Sequence, residues 1–237
     1  MKKISLFFLT LTLSLLLLLP AASAERLDLA DENFDFHTIK TLLLYDPDVQ
    51  LARQNDPAGG DLVARILAAD YQKEGADDMP YGQLSEEQIL RKISLKLGQN
   101  LDLIAKDNPE QAQQLFAANC QDFVDAYVKT KLTDYQTGSY VVPAHTEWRE
   151  IKDTDTYKDK DGKEHTITHT RQIPEYVPDT TVYTATVRLR FTVYSAKTGK
   201  EIFTRDDSRT DYHTTDLRSA YDKVVHSFFR DLKKKIR

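Results

Sequence analysis

The chain has 237 residues, with 32 lysines and arginines against 37 aspartates and glutamates, a formal net charge of −5. A mildly acidic chain argues against general nucleic-acid binding, which needs a basic footprint. Its single cysteine, Cys120, excludes an internal disulfide, so the fold must be held by its core alone.

Lys2 and Lys3 precede an almost wholly apolar run, Ile4 to Leu19, interrupted only by Ser5, Thr10, Thr12 and Ser14. Pro20 and Ala21-Ala22-Ser23-Ala24 follow, with small side chains at both positions that a signal peptidase must admit. The competing reading is an uncleaved anchor, but the run falls short of the roughly 20 residues that span a bilayer. Cleavage is expected after Ala24, leaving Glu25 first. No cysteine follows the apolar run, so lipid attachment is not expected. Losing Lys2 and Lys3 leaves 30 basic residues against 37 acidic ones, a net charge of −7. No second long apolar stretch exists, so the mature chain is not expected to span a membrane.

Residues 25 to 37 read as a polar lead-in. Ile39 to Tyr45 is nearly continuous in apolar residues and stops at Asp46-Pro47, which predicts an interior strand covered on both sides. After a loop at 55 to 60, Asp61 is expected to cap a helix to about Lys73, with Leu62, Ile66 and Ala69 on one face and Val63 and Leu67 beside it. Ser85-Glu86-Glu87-Gln88 has the capping-box pattern and opens a helix to about Lys106, with Ile89, Ile93, Leu97, Leu101 and Ile104 as its stripe. Asn108-Pro109 restarts a helix that fades near Cys120. From Phe123 the period becomes two: Val124, Ala126, Val128, Thr130 and Leu132 alternate with Asp125, Tyr127, Lys129 and Lys131. Tyr140 to Ile151 and His165 to Ile173 read as partner strands around an Asp161-Gly162 turn, with an irregular piece between Pro174 and Pro178. Thr181 to Ser195 is the clearest strand, with Tyr183, Ala185, Val187, Leu189, Phe191 and Val193 on one side and Thr184, Thr186, Arg188, Arg190 and Thr192 on the other. Ala196-Lys197-Thr198-Gly199 turns it into Lys200 to Arg205. A last helix from about Asp216 carries Leu217, Ala220, Tyr221, Val224, Phe228 and Leu232, and ends in Lys233-Lys234-Lys235. The expected architecture is α/β (α+β): a two-layer sandwich with a mixed, mostly antiparallel sheet and helices packed on one face. Residues 25 to 237 are expected to form a single such domain, with a helical segment at about 85 to 119.

Residues 36 to 47, the strand from Val124 to Tyr135, the Leu189 to Phe203 hairpin with its Ala196-Lys197-Thr198-Gly199 turn, and the closing amphipathic helix together resemble a group of bacterial envelope domains. That group includes the periplasmic domain of the curli-secretion lipoprotein and the amino-terminal domain of the Tol-Pal propeller protein. The chain departs from these in having no lipid-attachment cysteine, no propeller repeats and no membrane-inserting hairpins. The resemblance implies fold and compartment, with protein–protein assembly as the associated role.

Motifs for chemistry are weak. His165 and His169 sit four apart on a β-branched stretch, and about 13 Å along a strand is too far to share one ion, so no metal is expected. Asp153, Asp155, Asp159 and Asp161 fail the calcium-loop register, because Tyr157 and Thr168 would stand where carboxylates are required. There is no Gly-x-Ser-x-Gly elbow and no phosphate-cradling glycine loop, so no cofactor is expected; Gly59-Gly60 alone is a weak anion site. Cys120 reads as a small buried hydrophobe.

Lys129 and Lys131 on one strand and Arg188 and Arg190 on another would form one cationic face if the two strands share a sheet. The alternative is an ordinary solvated face with Asp and Glu partners. Three functions are carried forward: an exported, periplasmic or extracellular, non-enzymatic module binding an envelope protein or an anionic surface polymer; an exported hydrolase; and an adaptor that oligomerises through 85 to 119. If the export reading holds, the protein recovered from cells begins at Glu25 by intact mass; a chain retaining residues 1 to 24 would overturn it.

Overall fold

The computed structural model describes residues 25–55 and 58–237, so the signal-like segment lies outside the described residues. The described chain falls into two compact units, one of residues 25–138 with 184–237 and one of residues 139–183.

The first unit is built on a six-stranded mixed sheet. In chain order it comprises β1 (Glu25–Ala30), β2 (Thr41–Leu44), α1 (Gln50–Asn55), α2 (Gly60–Ala76), β3 (Gly82–Ser85) and three helices, α3 (Glu86–Leu97), α4 (Leu101–Asp107) and α5 (Pro109–Cys120). Then follow β4 (Ala126–Val142), β7 (Thr180–Ser195), β8 (Glu201–Tyr212) and α6 (Leu217–Ile236). The strands lie in the order β1-β8-β7-β4-β2-β3. β2 runs parallel to both β3 and β4, whereas β8 runs antiparallel to β1 and β7.

β2 explains its own sequence. Leu42, Leu43 and Leu44 are all fully buried, because successive side chains point to opposite faces and both are covered. Leu42 and Leu44 enter a core with Leu67 and Tyr71 of α2 and Tyr221, Phe228 and Phe229 of α6. Leu43 enters a second core with Ile89 and Ile93 of α3, Leu101 of α4, and Phe116 and Cys120 of α5. The expected α/β sandwich with helices on the sheet is therefore present, and α3 to α5 add a separate cover where β2 lies.

Several local expectations shift. The 25–37 lead-in contains β1, paired with β8 from Glu25↔Ser208 to Ala30↔Phe203. Helix α2 starts at Gly60 with Gly59 as its cap and no side-chain cap bond, so Asp61 is not the cap. It buries Ala64, Leu67, Tyr71 and Gly75, while Leu62 is exposed. The single helix expected over 85 to 106 is two. Gly98 adopts φ 64, a left-handed cap that closes α3, and the Asn100 side chain caps α4. The capping box at Ser85 and Gln88 is formed in both directions.

The second unit contains the antiparallel ribbon β5 (His145–Lys158) and β6 (Glu164–Val177) with the ends of β4 and β7. β6 runs on through Pro174, so the expected irregular piece is strand, with Pro174 opposite Trp148. The turn is as expected: Gly162 has φ 77, and the Asp159 carboxylate accepts from the backbone of Asp161 and Lys163.

Arg205, Asp206 and Asp207 are buried charges of the first unit, and Arg205 is the deepest. Arg205 of β8 is fully buried, its guanidinium 5.6 Å from the Phe203 ring and 5.9 Å from that of Phe228. It donates through Nε and Nη2 to both carboxylate oxygens of Asp28 on β1, at 2.7 and 2.9 Å. Nη1 donates to the Ser227 carbonyl at 3.1 Å and to Asp231 at 3.3 Å, both on α6. Burial alone would raise the Asp28 pKa, but hydrogen bonds from Arg26 and Arg205 outweigh it and take it from 3.8 to about 2. A carboxylate with a lowered folded pKa adds stability that is complete above its ordinary value and lost as pH falls through the folded one. Unfolding free energy should therefore decline as pH falls from about 4 to 2, and Asp28→Asn should flatten that decline. Asp28→Asn with Asp231→Asn should cost about 3–5 kcal/mol in urea unfolding at neutral pH, because a buried guanidinium loses its partners.

Candidate binding face

β7 and β4 are neighbours in the sheet, with the Ala196 amide donating to the Asp125 carbonyl at 2.9 Å and the Thr133 hydroxyl to the Arg188 carbonyl at 3.2 Å. Their inward residues, Ala126, Val128 and Leu132 on β4 and Val187, Leu189, Phe191 and Val193 on β7, belong to the first core. Strand alternation then turns Tyr127, Lys129 and Lys131 outward together with Arg188, Arg190 and Tyr194. The two rows share one face: the Lys129 ammonium lies 6.0 Å from the Tyr194 ring, and Tyr127 stacks on Tyr194 with centroids 5.0 Å apart.

The four cations are not equivalent. Arg188 and Arg190 converge on Asp206 of β8, Arg188 Nε donating at 2.6 Å and Arg190 Nη2 at 2.8 Å. Burial would raise the Asp206 carboxyl, but the two guanidinium hydrogen bonds hold it below the usual carboxylate range. The two arginines share one ion-paired acid and stay 44% and 58% exposed, with Glu25 and Asp134 acting on Arg188 from farther off. Lys129 lies over Tyr45, Tyr127 and Tyr194 at 5.5 to 6.0 Å, a cation held by three aromatic rings. Lys131 is exposed and makes no ion pair among the described residues. On β1, Leu27 stands directly opposite Asp206, and it is 59% exposed with Leu29 at 60%. The face is thus basic with an apolar margin.

Sequence reasoning found the four cations but not Asp206, Leu27 or the tyrosines. Asp206 falls after the predicted end of its strand, and Leu27 lies in a segment read as a lead-in. Tyr45 and Tyr194 belonged to predicted strands, but only the sheet order brings them to Lys129.

The other chemistry-bearing residues are dispersed. His165 contacts Asp159 at 2.6 Å and His169 contacts Asp155 at 3.6 Å, both on the ribbon. Among the described residues no group of three or more His, Cys, Asp or Glu is placed to hold a metal. A hollow between α2 and α6 collects Asp70, Glu74, Asp222 and His226. Asp70 is paired with Arg218 at 2.8 Å and Glu74 with His226 at 2.5 Å, while burial pushes the Asp222 carboxyl up. Its lining includes no serine, threonine or cysteine to act as nucleophile.

Cys120 is buried in the second core, and burial, with Glu86 nearby, pushes its thiol up to about 11. A thiol at that value is protonated at pH 8 and unreactive. Ellman's reagent should titrate no thiol in the native protein at pH 8 and one thiol per chain in denaturant; fast native reaction would overturn the buried placement.

No known family model matches the chain, and no curated protein does. Among solved structures it is similar to a point variant of the PelC dodecamer from Paraburkholderia phytofirmans, at 8% identity and TM-score 0.42, covering 89% of this chain and 99% of that one. A second PelC dodecamer structure from the same organism gives 9% identity and TM-score 0.38, covering 89% of this chain and 98% of that one. Lipoprotein GNA1162 from Neisseria meningitidis gives 14% identity and TM-score 0.30, covering 82% of this chain and 99% of that one. Likeness at these values does not extend to function or assembly, which must be read from this chain's own residues.

Proposed function

We propose that this chain is an exported, non-enzymatic protein of the bacterial envelope, periplasmic or secreted, that binds an acidic protein segment or an anionic surface polymer through the outward face of β4, β7 and β8. The observation that carries this reading is the row of exposed cations on one sheet face, Lys129, Lys131, Arg188 and Arg190, of which only the two arginines are ion-paired, both to Asp206, while Glu25 and Asp134 act on Arg188 and Glu86 on Lys129 from farther off. Arginines presented by a rigid sheet suit carboxylate or phosphate oxygens, because the guanidinium fork is planar and keeps donors to spare after meeting Asp206. The overall chain is acidic, so this row of cations is a local feature rather than part of a general basic surface. Export is supported by the basic, apolar and small-residue order of residues 2 to 24. The resemblance to envelope assembly domains agrees in compartment.

The structure directs the choice of test residue. Reversing Arg188 and Arg190 would gather three carboxylates where Asp206 is 10% exposed, which damages the sheet as well as the face. Lys131 has no ion-paired partner to lose. Crosslinked capture from intact cells, read by mass spectrometry, should recover a specific envelope partner with the wild type and lose it with Lys131→Glu, while the melting temperature stays unchanged. Capture should also weaken as salt rises, since exposed charges are screened. Undiminished capture by Lys131→Glu, at any salt, would overturn the reading.

A further inference from the structure

The ribbon β5–β6 is a two-stranded sheet of fourteen paired positions, and every residue of β5 except Ile151 is exposed. No residue of either strand is buried. A ribbon with no buried face is marginal in water and gains stability from a third strand. β5 pairs only with β6, so its other edge presents a row of backbone donors and acceptors to no strand among the described residues.

The sequence along that edge is complementary to itself when reversed. Arg149-Glu150-Ile151-Lys152-Asp153 reads plus, minus, apolar, plus, minus, and its reverse carries the opposite charge at each position. We propose that the free edge of β5 pairs antiparallel with the same edge of a second copy of this chain, centred on Ile151. A closed two-fold pair sets opposed residues on the same face, so its centre falls on a residue. Centred on Ile151, the register places Arg149 against Asp153 and Glu150 against Lys152, each twice, with Ile151 against its own copy. Centred on Glu150 or on Lys152 it would place like charges directly opposite, which is destabilising. The flanking Glu147 with Asp155 is the one like-charged pair in the favoured register.

The charges are free to make these contacts. Arg149–Glu175, Lys152–Glu150 and Arg171–Asp153 stand at 3.6, 3.6 and 3.0 Å, with side chains about half to two-thirds exposed. Such pairs contribute little and can be shared with a new strand. The joined ribbons form a four-stranded sheet, and the exposed rings of Trp148 and Tyr157 come to stand against Thr154 and His145 of the second copy's β5.

The test uses charge exchange at a site that leaves the ribbon's own ladder alone. Glu150 faces Gln172 and Lys152 faces Thr170 on β6, so neither pairing meets a cross-strand charge before or after the exchange. Sedimentation equilibrium of the purified exported chain should show a dimer. Glu150→Lys should raise its dissociation constant several-fold, because the two-fold axis repeats each like-charge pair. Adding Lys152→Glu to Glu150→Lys should restore it. In a Cys120→Ser background, Ile151→Cys should crosslink to its own copy under mild oxidation, whereas Thr154→Cys should not. A chain that stays monomeric at every concentration would overturn the proposal. So would a dimer indifferent to Glu150→Lys, or one that crosslinks equally from both positions.

Discussion

The buried guanidinium of Arg205 sets a condition that the edge of the sheet and the last helix must both meet. A charge placed among Phe203 and Phe228 is tolerable only when its donors are satisfied and its charge is balanced. Asp28 supplies a bidentate acceptor from β1, and Asp231 with the Ser227 carbonyl supplies the rest from α6. β1 is consequently fixed against β8 in a register where Asp28 stands opposite Arg205. A one-residue slip would turn Asp28 outward and Leu27 inward, leaving Nε and Nη2 of the guanidinium without their acceptor. The outward position of Leu27 beside Asp206 therefore follows from the inward position of Asp28.

A second condition governs the other end of the sheet. Leu43 points away from the first core, so that face of β2 must be covered too, and α3 to α5 supply the cover. Asp125 pins this arrangement. Its carboxylate accepts from the amides of Lys40 and Thr41 at 2.8 and 2.9 Å, its own amide donates to the Thr41 carbonyl, and its carbonyl receives the Ala196 amide. β2, β4 and the turn after β7 thus meet at one residue. The outward face is closed around Leu43 and remains open toward β7, β8 and β1. Between the two regions Tyr45, Tyr127 and Tyr194 hold Lys129.

The two surfaces proposed to interact use different physics. The sheet face relies on exposed cations held at fixed spacing by a packed sheet. The ribbon edge relies on backbone groups that lack strand partners, with charge order selecting one register over its neighbours. Neither depends on a catalytic group, and the titrating residues that are shifted most are explained by burial or by ion pairing within the fold. Tyr71 and Tyr221, for example, are pushed up by burial while their hydroxyls bond Thr130 and the Leu67 carbonyl.

What the sequence by itself determined was periodicity and punctuation. The unbroken leucines of β2 announced burial on both sides, the alternation of β7 announced its inner row from Ala185 to Val193 but not at Tyr183, which is exposed while Val182 is buried, and the stripe of α6 named most of its buried residues. The capping box at Ser85 and the Asp161-Gly162 turn were local enough to read directly. Less was legible where a pattern is made only by a distant partner. β1 is too short and too exposed for its brief Leu27, Leu29 alternation to stand out, and it becomes a strand by pairing with β8, where Asp28 meets Arg205, 177 positions away. The break at Gly98 was hidden because the stripe continues across it, from Ile93 to Leu101, in phase. The four cations could be listed from sequence, yet their inequality could not: which pair shares Asp206, which lysine lies under three rings and which is left without an ion pair are decided by strand order. That order is tertiary, because it is set by side chains packing between segments far apart in the chain.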